Sequence, residues 1–238
     1  MKVLVISDLH YEKKVYKGVD ESLAWVWLLS VVDFHKPEYL LSCGDWGSAV
    51  SLSEFGELTD RTVVLTIYGN HENMPVLEAV YNVRWGEPFP VLVREGVVYD
   101  VGGLKVAGLN GIISETGMPK KGVPRRRPEE FLSAARMLMH VKVDVLLMHE
   151  TPYLPNVFGM AETVGSTTAL RVVKAVKPEI VVNGHMHRGG YRTFTFPFGT
   201  RYIYIDSSQK EKHYLLLEDD VISIWRDLTF IDEITLDD

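Results

Sequence analysis

Residues 2–10 read Lys-Val-Leu-Val-Ile-Ser-Asp-Leu-His. Val3 to Ile6 is a short unbroken apolar run, the pattern of a strand buried on both faces. The chain then turns polar at once, at Asp8 and His10. The same arrangement recurs along the sequence. Glu38 to Cys43 predicts a strand that runs into Gly44-Asp45. Thr62 to Ile67 predicts another, followed by the turn Tyr68 to Asn73, which contains Gly69-Asn70-His71-Glu72. Val143 to Met148 leads into His149, and Glu179 to Val182 into Gly184-His185-Met186-His187. In open α/β sheets, ligands bind beyond the carboxyl ends of the strands. Five polar patterns at five strand ends are therefore expected to share one crevice.

Helical patterns separate these strands. Asp20 to His35 has Asp20 as a cap and Pro37 as a stop. Pro128 to His140 carries Pro in its first turn, and Thr167 to Val176 precedes the last parallel strand. Hairpins dominate elsewhere. Val97 to Val101 and Leu104 to Leu109 flank Gly102-Gly103, Tyr191 to Phe196 and Arg201 to Ile205 flank Pro197, and His213 to Leu217 and Val221 to Trp225 flank Asp219-Asp220. This mixture predicts an α/β fold of two mixed sheets packed face to face with helices outside. A single domain over residues 1–238 is expected, with residues 231–238 as a frayed acidic tail.

A chain of 238 residues can bury one sizeable core. Its net charge of −7 gives no global field for nucleic acid. A polyanionic substrate would have to be captured by local positive charge, from metal ions or from the irregular cationic segment Ser114 to Pro128. Cys43 is the single cysteine, which excludes an intramolecular disulfide and a thiolate metal cluster. The N-terminus lacks the layout of a signal peptide, and the apolar stretch Leu23 to Val32 is about half of the ~20 residues a spanning helix needs. The expectation is a cytoplasmic protein.

The strand-end residues suit metal ions. Asp, Asn and His offer oxygen and nitrogen donors to Mn, Fe, Zn, Ni or Co. A carboxylate such as that of Asp45 can bridge two ions, and Asn70 can bind one without cancelling its charge. Two divalent ions with Asp8, Asp45 and one hydroxide leave a charge of roughly +1, attractive to a phosphate anion. Five of the eight histidines lie in these patterns, at His10, His71, His149, His185 and His187. His35, His140 and His213 belong to none of them.

Asp-x-His, Gly-Asp, Gly-Asn-His-Glu, a lone His and Gly-His-x-His, in that order over roughly Met1 to Asp206, resemble the calcineurin-like metallophosphoesterases. The resemblance implies a four-layer αββα sandwich and a two-metal centre. Asp8, His10, Asp45 and His187 would hold one ion, and Asp45, Asn70, His149 and His185 the other. Both would be divalent, manganese first among the candidates. His71 would be catalytic, hydrogen bonding to the transition state or protonating the leaving oxygen. The implied reaction is in-line attack of a metal-bridging hydroxide on phosphorus. One departure stands out: Gly44-Asp45 is followed by Trp46-Gly47-Ser48 rather than by the Asp-Arg-Gly of the protein-phosphatase branch. That speaks against a phosphoprotein substrate and leaves the partner that orients His71 unassigned.

The expected activity is hydrolysis of phosphodiesters of nucleotides or nucleic acid. A phosphomonoesterase acting on a small metabolite or nucleotide is the alternative, and an adaptor or nucleic-acid-binding module on the same fold is the non-enzymatic one. Arg188, Lys120, Lys121, Arg125, Arg126, Arg127 and Trp46 are candidate substrate contacts, the cations as a clamp over a polyanion and Trp46 as a stacking surface, with Tyr153 and Phe158 considered beside it. Each has a plainer reading, as a solvated loop or as packing aromatics. Glu72 and Glu150 adjoin ligand positions, either as supports for them or as surface groups, and Cys43 reads as a small buried residue. No membrane partner is expected.

Overall fold

The computed structural model describes residues 1–84, 86–207 and 211–235. The chain begins with β1 (Lys2–Ile6), a short ribbon of β2 (Val15–Tyr16) and β3 (Val19–Asp20), α1 (Ala24–His35), β4 (Tyr39–Ser42), α2 (Leu52–Thr59), β5 (Val63–Thr66) and α3 (Met74–Ala79). A second ribbon, β6 (Tyr81–Asn82) with β7 (Phe89–Pro90), leads to the hairpin β8 (Tyr99–Val101) and β9 (Leu104–Leu109). Then come α4 (Pro128–Arg136), β10 (Val145–Met148), α5 (Pro155–Phe158), α6 (Val164–Val176) and β11 (Ile180–Asn183). Hairpin strands β12 (Tyr191–Thr195), β13 (Arg201–Ile205), β14 (His213–Glu218), β15 (Val221–Arg226) and β16 (Thr229–Thr235) complete the described chain.

Two six-stranded mixed sheets result, in the orders β16-β15-β14-β1-β4-β5 and β12-β13-β11-β10-β9-β8. β1, β4 and β5 run parallel in the first. β9, β10, β11 and β13 run parallel in the second. Strand alternation produces three apolar layers. Val3 and Val5 of β1 meet Val145 and Leu147 of β10 in the core between the sheets. Leu4 and Ile6 face the other way, onto Leu28 and Val31 of α1. Leu146 and Met148 face Phe131 of α4 and Val172 of α6. The arrangement is the expected four-layer sandwich, and it explains why these strands read as continuous apolar runs.

Local chemistry sets the element ends. Asp20 caps a one-turn 3-10 entry at Glu21–Leu23, accepting the Ser22 N–H at 3.0 Å, and α1 follows directly. Lys36 ends α1 in the left-handed conformation, and Pro37 prevents continuation. Pro128 opens α4, which stops at Arg136, short of the expected His140; tighter turn bonds such as Leu138 N–H to Ala135 O take over. Helices α2 and α3 lie in segments with no helical expectation, although Ser51 and Glu54 form a reciprocal capping box at the start of α2.

The frayed tail is corrected in part. Ile231 to Thr235 belong to β16, which pairs along β15 in the register Ile222 to Ile234. Its acidic residues face solvent on an edge strand, where charge protects against further pairing, and Asp232 accepts a 2.7 Å hydrogen bond from the Tyr191 hydroxyl. Residues 236–238 lie outside the described residues. Among the described residues no helix is long and apolar enough to cross a membrane.

Candidate metal centre and catalytic site

The parallel register of β1, β4 and β5 places the loops at Asp8, Asp45 and Asn70 side by side, and β10 and β11 bring His149 and His185 to the same end of the second sheet. Contacts between the sheets lock the two groups together. The His185 N–H donates to Asp8 Oδ2 at 2.9 Å. His149 Nδ1 lies 2.7 Å from the Cys43 carbonyl oxygen. A carbonyl can only accept, so Nδ1 carries a proton and Nε2 is the ring nitrogen left facing the crevice.

Asp8, His10, Asp45 and His187 offer one donor atom each, all within 4.8 Å of one another. His10 Nε2 is 3.3 Å from Asp45 Oδ2, and His187 Nε2 is 3.8 Å from Asp8 Oδ1. On the other side of Asp45, His149 Nε2 lies 3.4 Å from Oδ1, and the His149 and His185 rings are 4.9 Å apart. The structure thus gathers the other six residues expected as ligands around the Asp45 carboxylate. His71 joins them, with its ring 5.0 Å from that of His10.

The donor atoms fit a metal centre in a specific way. His10 Nε2, Asp45 Oδ2, Asn70 Oδ1, His149 Nε2 and His185 Nδ1 are all buried without a hydrogen-bond partner. Leaving one buried polar atom unsatisfied costs about 1–3 kcal/mol. Five such atoms in one crevice are the complement of a cation. The backbone carries a matching signature. Asp8, His10, Asp45, His185 and His187 all have left-handed φ, between 46° and 73°. In that conformation a non-glycine residue is strained, and such strain concentrates at functional sites. It turns each side chain back toward the strand ends.

Charges within the crevice are strongly perturbed. Burial opposes ionisation of both Asp8 and Asp45, yet the close approach of the His10 and His149 rings holds both carboxyls below the usual range. Burial likewise opposes charge on His10 and His149, but Asp8 and Asp45 push them up to about 9 and about 10. His185 is driven the other way, down to about 4, by burial and by His149. Burial also lowers His71, against the pull of Asp45.

Support comes from residues the sequence singled out weakly or missed. Glu72 is buried, and its carboxylate accepts the N–H groups of Asp45, Gly69 and Trp46 at 2.6, 2.8 and 3.1 Å. Burial and the nearby Asp45 push it up, while the three N–H donors pull the other way and favour the carboxylate. Its place as the fourth residue of Gly-Asn-His-Glu was the available signal. Ser7 donates to Asp8 Oδ2 at 2.6 Å, with no sequence feature to mark it. Glu150 is buried and accepts the Ile113 N–H at 2.7 Å, tying the cationic loop to the candidate ligand His149 beside it. Gly69 and Gly184 line the carboxylates so closely that a Cβ at Gly69 would strike Asp45 Oδ1 and one at Gly184 would strike Asp8 Oδ2.

The candidate substrate contacts divide. Trp46 is corrected: it is 1% exposed, packs on Trp25 and Phe55 and donates through Nε1 to Thr66 at 2.8 Å, so it is core and offers no stacking face. Phe158 is likewise buried, against Tyr202 and Tyr204. Arg126 is engaged by Glu95 at 2.6 Å, and Arg127 Nε donates to the Thr116 carbonyl at 3.1 Å. Lys120, Lys121 and Arg125 line a cavity together with Asn70 and His71. Arg188 is exposed beside His187, its backbone N–H bonded to the Tyr204 hydroxyl at 2.9 Å.

Comparison with known proteins agrees with this geometry. The model of the calcineurin-like phosphoesterase family matches residues 1–189. No curated protein matches the sequence. Among solved structures, a dimetal phosphatase from Danio rerio is similar at 12% identity with a TM-score of 0.57, over 99% of this chain and 98% of that one. GAP50, the anchor in the inner membrane complex of Plasmodium, is similar at 13% identity and TM-score 0.57, over 99% and 88%. Vps29 complexed with zinc from Entamoeba histolytica is similar at 13% identity and TM-score 0.50, over 99% of each chain. At such identities the likeness is one of fold.

Proposed function

The chain belongs to the calcineurin-like phosphoesterase family, and on that premise we propose that it is a two-metal hydrolase of phosphodiesters, with nucleotides or nucleic acid as the substrate class. The convergence of five buried, unpartnered donor atoms on one carboxylate carries this reading. A protein that used the fold only as an adaptor would gain nothing from retaining that many unsatisfied groups and five strained backbone positions.

Asp8, His10, Asp45 and His187 would hold one ion, and Asp45, Asn70, His149 and His185 the other. Bound ions supply Lewis-acid charge for the phosphoryl oxygens and activate water near neutral pH. The chain's own part is to set the donors in advance. Ser7 and the His185 N–H fix the Asp8 carboxylate. The N–H groups of Asn70 and His71, at 2.5 and 2.8 Å, fix Oδ1 of Asp45 and leave Oδ2 to the crevice. His71 is neutral at neutral pH because burial lowers it, and nearby cations act in the same direction. It serves as an N–H donor to a phosphoryl or leaving oxygen, the electrostatic role that a preorganised donor fills.

A diester preference is supported by the absence of the Asp-Arg-Gly signature after Gly44 and by the presence of His10 in the first motif. The test is turnover of bis(4-nitrophenyl) phosphate against 4-nitrophenyl phosphate with manganese supplied. The bis-ester should be hydrolysed with the higher kcat/KM. A mono-ester rate far above it would make the protein a phosphomonoesterase, and no metal-dependent turnover of either would make it a binding module.

A further inference from the structure

The segment between Ile113 and Arg127 is built as a wall of the crevice. Its ends are closed by Ser114 N–H to Arg126 O and Arg126 N–H to Ile112 O, both 2.9 Å. Its tip is a tight turn, with Lys120 and Val123 exchanging backbone hydrogen bonds at 3.0 and 3.1 Å. Both central residues have positive φ, 53° at Lys121 and 80° at Gly122. That is the twist of a type I′ hairpin turn, which glycine at the second position accommodates. Val123 is buried and packs into the core on the α1 side of the first sheet. The tip is thereby anchored to the opposite half of the molecule.

The anchored turn presents its cations to the candidate catalytic residues. Asn70, His71, Lys120, Lys121 and Arg125 line one cavity of about 80 Å³, with Val123 and Pro124 between them. That is space for a few waters or one small group, far below the several hundred Å³ of a site for a drug-sized ligand. The neighbouring arginines are engaged elsewhere, Arg126 with Glu95 and Glu130 and Arg127 with Thr116. Among the described residues, no ion pair involves Lys120, Lys121 or Arg125. Arg125 Nε is buried without a hydrogen-bond partner. Three cations around a small cavity, none of them in an ion pair among the described residues, in a chain of net charge −7, call for an anion.

We propose that Lys120, Lys121 and Arg125 form a subsite for a second phosphate group adjoining the one that is hydrolysed. The inference rests on the phosphoesterase reading above and narrows its substrate class to esters that carry a neighbouring phosphate. The neighbour is the next phosphate of a polynucleotide backbone or the next phosphate of a nucleoside polyphosphate. Arginine and lysine both recognise phosphate, and charge-assisted hydrogen bonds are the strong ones. Because the turn is held in place before substrate arrives, little ordering is lost on binding.

The test uses the manganese-loaded protein and three esters that release nitrophenol. The first is thymidine 5′-(4-nitrophenyl phosphate), the second the same compound bearing a 3′-phosphate, and the third the 4-nitrophenyl ester of the terminal phosphate of a nucleoside diphosphate. One of the last two should exceed the first in kcat/KM by about tenfold or more, the scale of one hydrogen bond to a charged group, and which one does so identifies the source of the second phosphate. The Lys120→Ala/Lys121→Ala/Arg125→Ala variant should lose that ratio, and Lys121→Glu should lower it in a second, less perturbed background. Equal kcat/KM for all three esters in the parent protein, or a ratio that survives in both variants, overturns the subsite. Failure to hydrolyse any of the three would instead sink the phosphoesterase reading itself.

Discussion

The Glu72 carboxylate accepts the backbone N–H of Asp45 at 2.6 Å. The same group takes the N–H of Gly69 and of Trp46, so one buried side chain ties the loop after β4 to the loop after β5. Three N–H donors require an acceptor on both oxygens. Glu72→Gln would turn one of those oxygens into an amide donor facing another donor. We expect this variant to fold with a stability loss of about 1–3 kcal/mol and to bind metal about 10–100-fold more weakly, read by thermal unfolding and metal titration. Unchanged metal affinity would show that the clamp does not set the ligand geometry.

Gly69 lacks a Cβ at the place where one would meet Asp45 Oδ1 and approach His149 Nε2 at 2.8 Å. Gly69→Ala must displace one of two candidate ligands. Helix and strand content should be preserved in circular dichroism while metal loading drops by about tenfold or more, the scale of losing ligand support. An alanine variant that loads normally would mean that the Asp45 and His149 side chains are free to move and that the cradle is not preorganised.

In the metal-free protein, Asp8 and Asp45 raise His10 and His149 to about 9 and about 10 against the effect of burial. Both rings therefore carry a proton at pH 7, and a ring nitrogen must lose its proton to bind a metal ion. Metal uptake is expected to release protons, so affinity should strengthen as pH rises from 6 toward 9. Calorimetric titration with manganese in buffers of different ionisation enthalpy measures the release. An observed enthalpy that does not depend on the buffer would contradict the protonation assigned to these two residues.

His71 lies beside His10, and Asp45 Oδ1 accepts its backbone N–H, yet its ring is outside the set expected to hold metal. His71→Ala should keep its metal content and lose about 10²–10³-fold in kcat, the loss seen when one preorganised oxyanion donor is removed. An empty metal centre in this variant would make His71 a ligand.

The central strands were legible because burial on both faces leaves a continuous apolar run, as in Val3 to Ile6, and because each run ends abruptly in Asp, Asn or His. The clustering of the candidate ligand residues was legible for the same reason: strand ends are where a parallel sheet delivers side chains to one edge. Trp46 misled because proximity in sequence to Asp45 says nothing of which side of the strand end a side chain takes. Here it turns into the core, to Phe55 and Thr66. β16 was obscured by its acids, since an edge strand with exposed charges has no apolar alternation to read. α2 was obscured because Gly56 and four polar residues leave it only three apolar positions, although the Ser51–Glu54 box marked its start. The division of the cationic loop, with Arg126 held by Glu95 and Lys120 and Lys121 facing the crevice, depends on contacts between distant segments that no local pattern encodes.

Asp45 is the one residue that both candidate ion positions share, fully buried and with Oδ2 unpartnered. The direct measurement is metal content per chain, by equilibrium dialysis against manganese followed by elemental analysis, for the parent protein and for Asp45→Ala. About two ions per chain are expected in the parent protein, as the two-metal family implies, and near-complete loss of both in the variant, with turnover lost in parallel. A parent protein that retains no ion after dialysis, or an Asp45→Ala variant that still holds two, would contradict it.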